Sequence, residues 1–183
     1  SQLGTETAFE VLAKARALEA KGRSIVHLEI GEPDFDTPAP IREAAIRALN
    51  EGFTHYGPSA GLPEVREAIA AHISRDRGLP TAADQVVVTP GGKPVLTFAV
   101  LACVNPGDEV IVPNPGFPIY ESAVRFAGGT PVSLVLREER EFRFGPADLE
   151  PLLTPKTRMV ILNSPHNPTG SVLSPKDLDG IAA

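Results

Sequence analysis

The chain has 183 residues, of which 42% are hydrophobic and 22% charged, with a formal net charge of −6. That is enough apolar material for the core of one domain or a little more, and the acidic balance, with no basic block, argues against nucleic acid or an anionic membrane surface as a partner. A single cysteine, Cys103, excludes a disulfide framework within one chain and, set in the apolar stretch 98–104, reads as a small core hydrophobe.

In chain order, Ala8, Val11, Leu12, Ala15 and Leu18 keep a helical period, and Gly22 follows as a stop. Residues 25–30 read as a short strand. Ile41, Ala44, Ala45, Ala48 and Leu49 form a second helical stripe, entered through Thr37 and Pro38, and Val65, Ile69, His72 and Ile73 a third, with His72 expected as a satisfied core residue. Beyond residue 80 the pattern changes to short β-branched runs at 86–88, 109–112, 131–136 and 159–162, with helix-compatible segments between them. Strands alternating with helices imply crossover connections, so the expected fold is a three-layer α/β/α arrangement around a mostly parallel sheet. Ser174-Pro175-Lys176-Asp177 then opens a last helix. The N-terminus has no basic flank leading into an apolar run, and no stretch approaches a membrane span, which makes the cytoplasm the expected location. The four histidines, His27, His55, His72 and His166, lack metal-ligand spacing.

In open parallel sheets, ligands lie beyond the carboxyl ends of the strands, so the loops leaving those ends carry the chemistry. Gly91-Gly92-Lys93-Pro94 opens a helix directly after a strand; glycines there let backbone N–H groups close on an anion such as a phosphate, although two glycines alone also make an ordinary tight turn. A Walker loop is ruled out, because Val87 stands where its first glycine belongs and Pro94 where Ser or Thr must follow the lysine. Phe117, between Gly116 and Pro118, offers a flat face to a planar ring or else caps the core. In the run Asn163 to Gly170, Asn167 precedes Pro168 and carries an amide that both donates and accepts. A phosphate cup, a stacking aromatic and a hydrogen-bonding asparagine on three strand ends would together hold a phosphorylated aromatic cofactor.

The chain resembles the N-terminal half of a class I/II aminotransferase, a pyridoxal-phosphate enzyme of fold type I. The resemblance runs from Gly31-Glu32-Pro33-Asp34-Phe35-Asp36-Thr37-Pro38 through His55-Tyr56-Gly57-Pro58-Ser59-Ala60-Gly61-Leu62-Pro63 and the two loops above to Asn167-Pro168-Thr169-Gly170. It implies that Gly92 and Lys93 bind the cofactor phosphate through backbone N–H groups, with Gly91 setting the turn. Phe117 would stack on the pyridine ring, Asn167 would bond the ring's phenolic oxygen and line the substrate site, and Tyr56 would reach a partner subunit's cofactor phosphate. Gly31 would lie near the substrate carboxylate. Cis peptide bonds are implied at Asn114-Pro115 and Asn167-Pro168, where only X–Pro bonds adopt cis at modest cost. The chain departs from the family at Gly92 and Pro94, which commonly are Ser or Ala and Gln, and at Phe117, often Trp or Tyr.

Transamination also needs a Schiff-base lysine, a carboxylate against the pyridine nitrogen and an arginine for the substrate carboxylate, all of which follow the Asn-Pro-Thr-Gly motif in the family. Lys14, Lys21, Lys93, Lys156 and Lys176 are the only lysines, and none stands in the family's Ser-x-x-Lys context. The expectation is therefore a truncated chain, inactive alone and without a catalytic residue of its own, whose parent is an aminotransferase acting on an amino acid and a 2-oxo acid. Residues 1–36 would belong to an arm or small domain and 37–183 to an incomplete cofactor domain, with a homodimer covering the exposed edge. Carbon–sulfur lyases and aminocyclopropane-carboxylate synthases share these motifs and are the alternative parents; a non-catalytic dimerising fragment is the alternative outside enzymes.

Overall fold

The computed structural model describes residues 7–183, as two compact units that meet in sequence at Pro90 and Gly91. The first unit holds α1 (Thr7–Glu19), α2 (Ala39–Asn50) and α3 (Pro63–Arg77). Each falls on a stripe that the apolar periodicity predicts. Proline in the first turn starts α2 and α3, where its missing N–H costs nothing, and Gly78 ends α3 at a φ of 65°. His72 departs from expectation: it lies on the exposed side of α3, 3.1 Å from Asp76, because Ala70 is the residue that the helix buries.

Residues 25–30 and 86–88 also depart from expectation, since neither forms a strand. Their β-branched residues favour an extended backbone, yet a strand exists only where a neighbour supplies a ladder. Val26 and Leu28 are more than four-fifths exposed. Val88 makes an isolated bond, its N–H donating to the Ala60 carbonyl at 2.9 Å, and the approach is close because Gly61 has no side chain: a Cβ there would stand 2.8 Å from Val88 Cγ2.

The second unit carries the sheet. Its elements are α4 (Lys93–Cys103), β1 (Glu109–Asn114), α5 (Ile119–Phe126), β2 (Thr130–Val135), α6 (Pro146–Leu149), β3 (Thr157–Val160) and α7 (Pro175–Ala182). The strands are parallel in the order β2-β1-β3, with Ile111 opposite both Val132 and Val160 and a register shift beside Glu109 in the β1–β3 pair. The central strand is buried on both faces, as a parallel strand between helices must be. Val110 and Val112 pack toward Val100 of α4 and Val124 of α5, while Ile111 turns the other way, into a cluster with Leu134, Phe144, Leu149 and Leu173. That period-two alternation produces the three layers.

Cys103 corrects the sequence reading, because it is exposed. The inward face of α4 runs through Val100 toward Val104, and position 103 lies off it. The last helix is capped as expected: Ser174 Oγ accepts from the Asp177 N–H, and the Asp177 carboxylate accepts from the Ser174 N–H at 2.8 Å. Arg143 donates to the same carboxylate at 2.7 Å, and these bonds, that of Arg143 foremost, hold the Asp177 carboxyl at about 2. No helix among the described residues is long and apolar enough to cross a membrane.

Candidate functional site

Three segments converge at the carboxyl end of the sheet. Because α4 runs antiparallel to β1, its N-terminus returns to the end where β1 finishes at Asn114; Leu96 in the first turns of α4 and Phe117 just after β1 pack against the same core cluster. β3 lies beside β1, and the bond from the Ile161 N–H to the Ile111 carbonyl, 2.9 Å, carries the pairing one residue further. The loop 163–170 therefore leaves the sheet next to the loop 114–118.

At the start of α4, Gly91 has a φ of 89°, a conformation in which a side chain would be strained, and Gly92 is the N-cap residue. A Cβ at either glycine would meet nothing within 4 Å, so the glycines leave open space at the positive end of an eleven-residue helix with no acidic residue in its first turn. An anion the size of a phosphate fits that chemistry. Pro94 lies in the first turn, where its lack of an N–H is tolerated.

Phe117 is half-buried and meets Tyr120 edge-on, with ring centroids 5.9 Å apart and planes at 89°. Tyr120 is buried, which raises its pKa, so the pair is a rigid hydrophobic mount. On the neighbouring loop, the Asn167 N–H donates to Asn163 Oδ1 at 2.7 Å, and Asn163 Nδ2 donates to the Pro165 carbonyl at 3.0 Å. Asn163 thus splints the loop from within and leaves the Asn167 side chain exposed. The peptide bonds Asn114-Pro115 and Asn167-Pro168 are cis, as the resemblance implies, and so is Ser164-Pro165, for which the sequence carried no signal.

Gly91, Gly92, Lys93, Phe117 and Asn167 thus belong to one unit and one end of its sheet. Tyr56 and Gly31 belong to the other unit, where both are exposed. One residue escaped the sequence reading: His166 is only 5% exposed, and its ring nitrogen Nδ1 stands 2.8 Å from Thr169 Oγ1. Burial lowers its pKa, with the Pro115 carbonyl acting in the opposite sense. Metal-ligand spacing was the wrong filter for it; the signal available was its place between two prolines in a loop that leaves a buried strand.

A parallel sheet with a glycine-opened helix and two stiff loops at its carboxyl end defines an α/β domain of the open-sheet class, whose ligands lie beyond the carboxyl ends of the strands. The model of the family "Aminotransferase class I and II" matches residues 23–183, and the chain belongs to that family. It is 44% identical over 181 residues to a probable aspartate/prephenate aminotransferase of Rhizobium leguminosarum bv. phaseoli, covering 99% of this chain and 45% of the relative. Among solved structures, aspartate aminotransferase from Thermus thermophilus with maleate superposes with a TM-score of 0.93 at 42% identity, over 98% of this chain and 47% of that one. Alanine aminotransferase from Pyrococcus furiosus gives 0.91 at 36% identity, over 97% and 46%. The chain spans about half the length of the relatives it matches.

Proposed function

We propose that this chain is the cofactor-cradling part of a pyridoxal-phosphate-dependent aminotransferase that moves an amino group between an amino acid and a 2-oxo acid. The observation that carries the reading is the convergence of the open Gly91-Gly92 turn, the mounted Phe117 ring and the exposed Asn167 amide at one end of one sheet. When bound, pyridoxal phosphate supplies an electron sink for the substrate's α-carbon. The chain's own residues bind and orient. The turn at Gly91 and Gly92 and the first turn of α4 direct N–H groups and the helix dipole at the phosphate. Phe117 would cover one face of the ring and exclude water from it, and the Asn167 amide would donate to the phenolic oxygen.

No residue described here moves a proton in this reading. Lys14, Lys21, Lys93, Lys156 and Lys176 are exposed, and Lys93 belongs to the phosphate cup, so the covalent lysine comes from sequence beyond this chain. In the parent, residues 1–36 form an arm or small-domain segment and 37–183 the cofactor domain; Tyr56 acts across a homodimer and Gly31 lies near the substrate carboxylate. The parent works in the cytoplasm. The relatives' names favour an aspartate-type donor over the lyase reactions that share these motifs. The test is a pair of measurements on this chain: noncovalent binding of pyridoxamine 5′-phosphate, which has no aldehyde to react with surface lysines, and turnover with aspartate and 2-oxoglutarate. Saturable binding without sustained turnover is expected. Failure to bind contradicts the cradle, and sustained turnover contradicts the assignment of the lysine.

A further inference from the structure

Among the described residues His166 is the one buried polar side chain beside the cradle, and the roles proposed above leave it without a task. Its backbone is already committed to the turn: the His166 N–H donates to the Ser171 carbonyl at 2.8 Å, and its carbonyl accepts from the Gly170 N–H at 2.7 Å. The backbone that carries the ring is therefore fixed by the Asn-Pro-Thr-Gly turn, and burial with the Thr169 contact holds the ring itself. Nδ1 meets the Thr169 hydroxyl, whereas Nε2 is buried with no hydrogen-bond partner among the described residues. A buried ring nitrogen without a partner is costly, so what lies opposite it matters.

Two observations indicate what lies opposite. The loops 114–118 and 163–170 leave adjacent parallel strands, and the Pro115 carbonyl is the backbone group that acts on the His166 ring. The tautomer follows from the partners. Thr169 Oγ1 accepts from the Ser171 N–H at 3.3 Å and keeps its own proton to donate, which suits an unprotonated Nδ1. A neutral imidazole with Nδ1 as acceptor carries its proton on Nε2, and a carbonyl is what that N–H requires.

We infer that His166 is a positioning residue that ties the loop bearing Phe117 to the loop bearing Asn167, with Nε2–H turned toward the Pro115 carbonyl and Nδ1 accepting the Thr169 hydroxyl proton. The pincer formed by the ring-stacking face and the phenolic-oxygen donor is set by this one imidazole. The phosphate cup at Gly91–Lys93 lies on a third segment and is independent of it. The inference rests on the cofactor reading for its purpose, though not for its geometry.

The test begins without ligand. Imidazole nitrogen–proton correlation spectra of the labelled chain at about pH 7.5, above the ordinary histidine range, give the tautomer of each histidine, and the His166→Phe variant identifies the ring by its disappearance. A neutral ring protonated on Nε2 is expected; a ring protonated on Nδ1, or charged, overturns the inference. In His166→Phe the backbone amide signals of Gly116, Phe117 and Asn167 should move together while those of Gly91, Gly92 and Lys93 stay. A response confined to 163–171 also overturns it. His166→Gln, whose amide reaches the Nε2 position, should restore the 114–117 signals in part. If the Phe variant does not fold, the wild-type tautomer still decides. With ligand, His166→Phe should weaken pyridoxamine 5′-phosphate binding by about tenfold, the loss of one hydrogen bond, and leave inorganic phosphate binding unchanged. A wild-type chain that binds neither defeats the cofactor reading alone, because the tautomer and the coupled amide shifts are read from the unliganded chain.

Discussion

Gly116→Ala is the sharpest single perturbation of the site. A Cβ at residue 116 would lie far inside van der Waals contact of the Pro113 carbonyl oxygen and 3.2 Å from the Pro113 carbonyl carbon. That carbonyl cannot retreat, because Pro113 is buried in β1 opposite Leu134, itself 2% exposed, in the middle of the parallel sheet. The chain at 116 must move instead and take Phe117 with it. Overpacking of this kind costs ~1–3 kcal/mol, which for a chain of this size lowers the melting temperature by roughly 2–12 °C. Gly92→Ala is the internal control: its Cβ meets nothing within 4 Å and its φ is −83°, so a stability change within about 0.5 kcal/mol is expected. Urea unfolding followed by circular dichroism gives the difference in stability, for which Gly92→Ala is the control, and pyridoxamine 5′-phosphate titration of Gly116→Ala against the unaltered chain gives its consequence, a weaker affinity. Equal stability for the two variants would refute the claim that the backbone turn at Pro113–Gly116 fixes the aromatic mount.

Leu134→Ala removes a buried side chain that joins β2 to the Phe144–Leu149–Leu173 cluster, and ~2–5 kcal/mol of unfolding free energy should be lost in the same urea experiment. The Asp177 carboxyl is held at about 2, below its ordinary value, so its contribution is complete above about pH 4 and disappears as pH falls toward 2. Amide exchange of α7 should accelerate over that window in the wild type, and Asp177→Asn should abolish the pH step. For His27, whose ring nitrogens donate to Glu29 at 2.6 Å and Glu19 at 3.0 Å, the partners raise the pKa above the ordinary histidine value. Its contribution is full below about pH 6.5 and fades as pH rises through the raised value; nitrogen shifts of the ring should place its midpoint above that of a free histidine, and added salt should lower it.

The helices were legible because their signal is local. The stripes through Ala15 and Ile69, and the Ser174–Asp177 capping box, each state a helix within a few residues. The strands at 109–114, 130–135 and 157–160 were legible as β-branched runs, but the same runs at 25–30 and 86–88 were not strands, since ladder partners are a property of the whole fold. The candidate site divides in the same way. Glycines, a lone aromatic and an asparagine before proline can be read one by one, and their convergence depends on β1 and β3 being neighbours. His166 was invisible as a site residue because burial, not spacing, gives it a role. Cys103 and His72 were misplaced for the opposite reason: an apolar neighbourhood in sequence does not say which side of the helix a residue takes.

The central claim is that three separate segments form one cradle for a phosphorylated pyridine. An amide chemical-shift titration of the chain with pyridoxamine 5′-phosphate tests it most directly. Saturable shifts at Gly91, Gly92 and Lys93, at Phe117 and at Asn167 that share one dissociation constant are predicted. Shifts confined to one of these segments, or none that saturate, would contradict it.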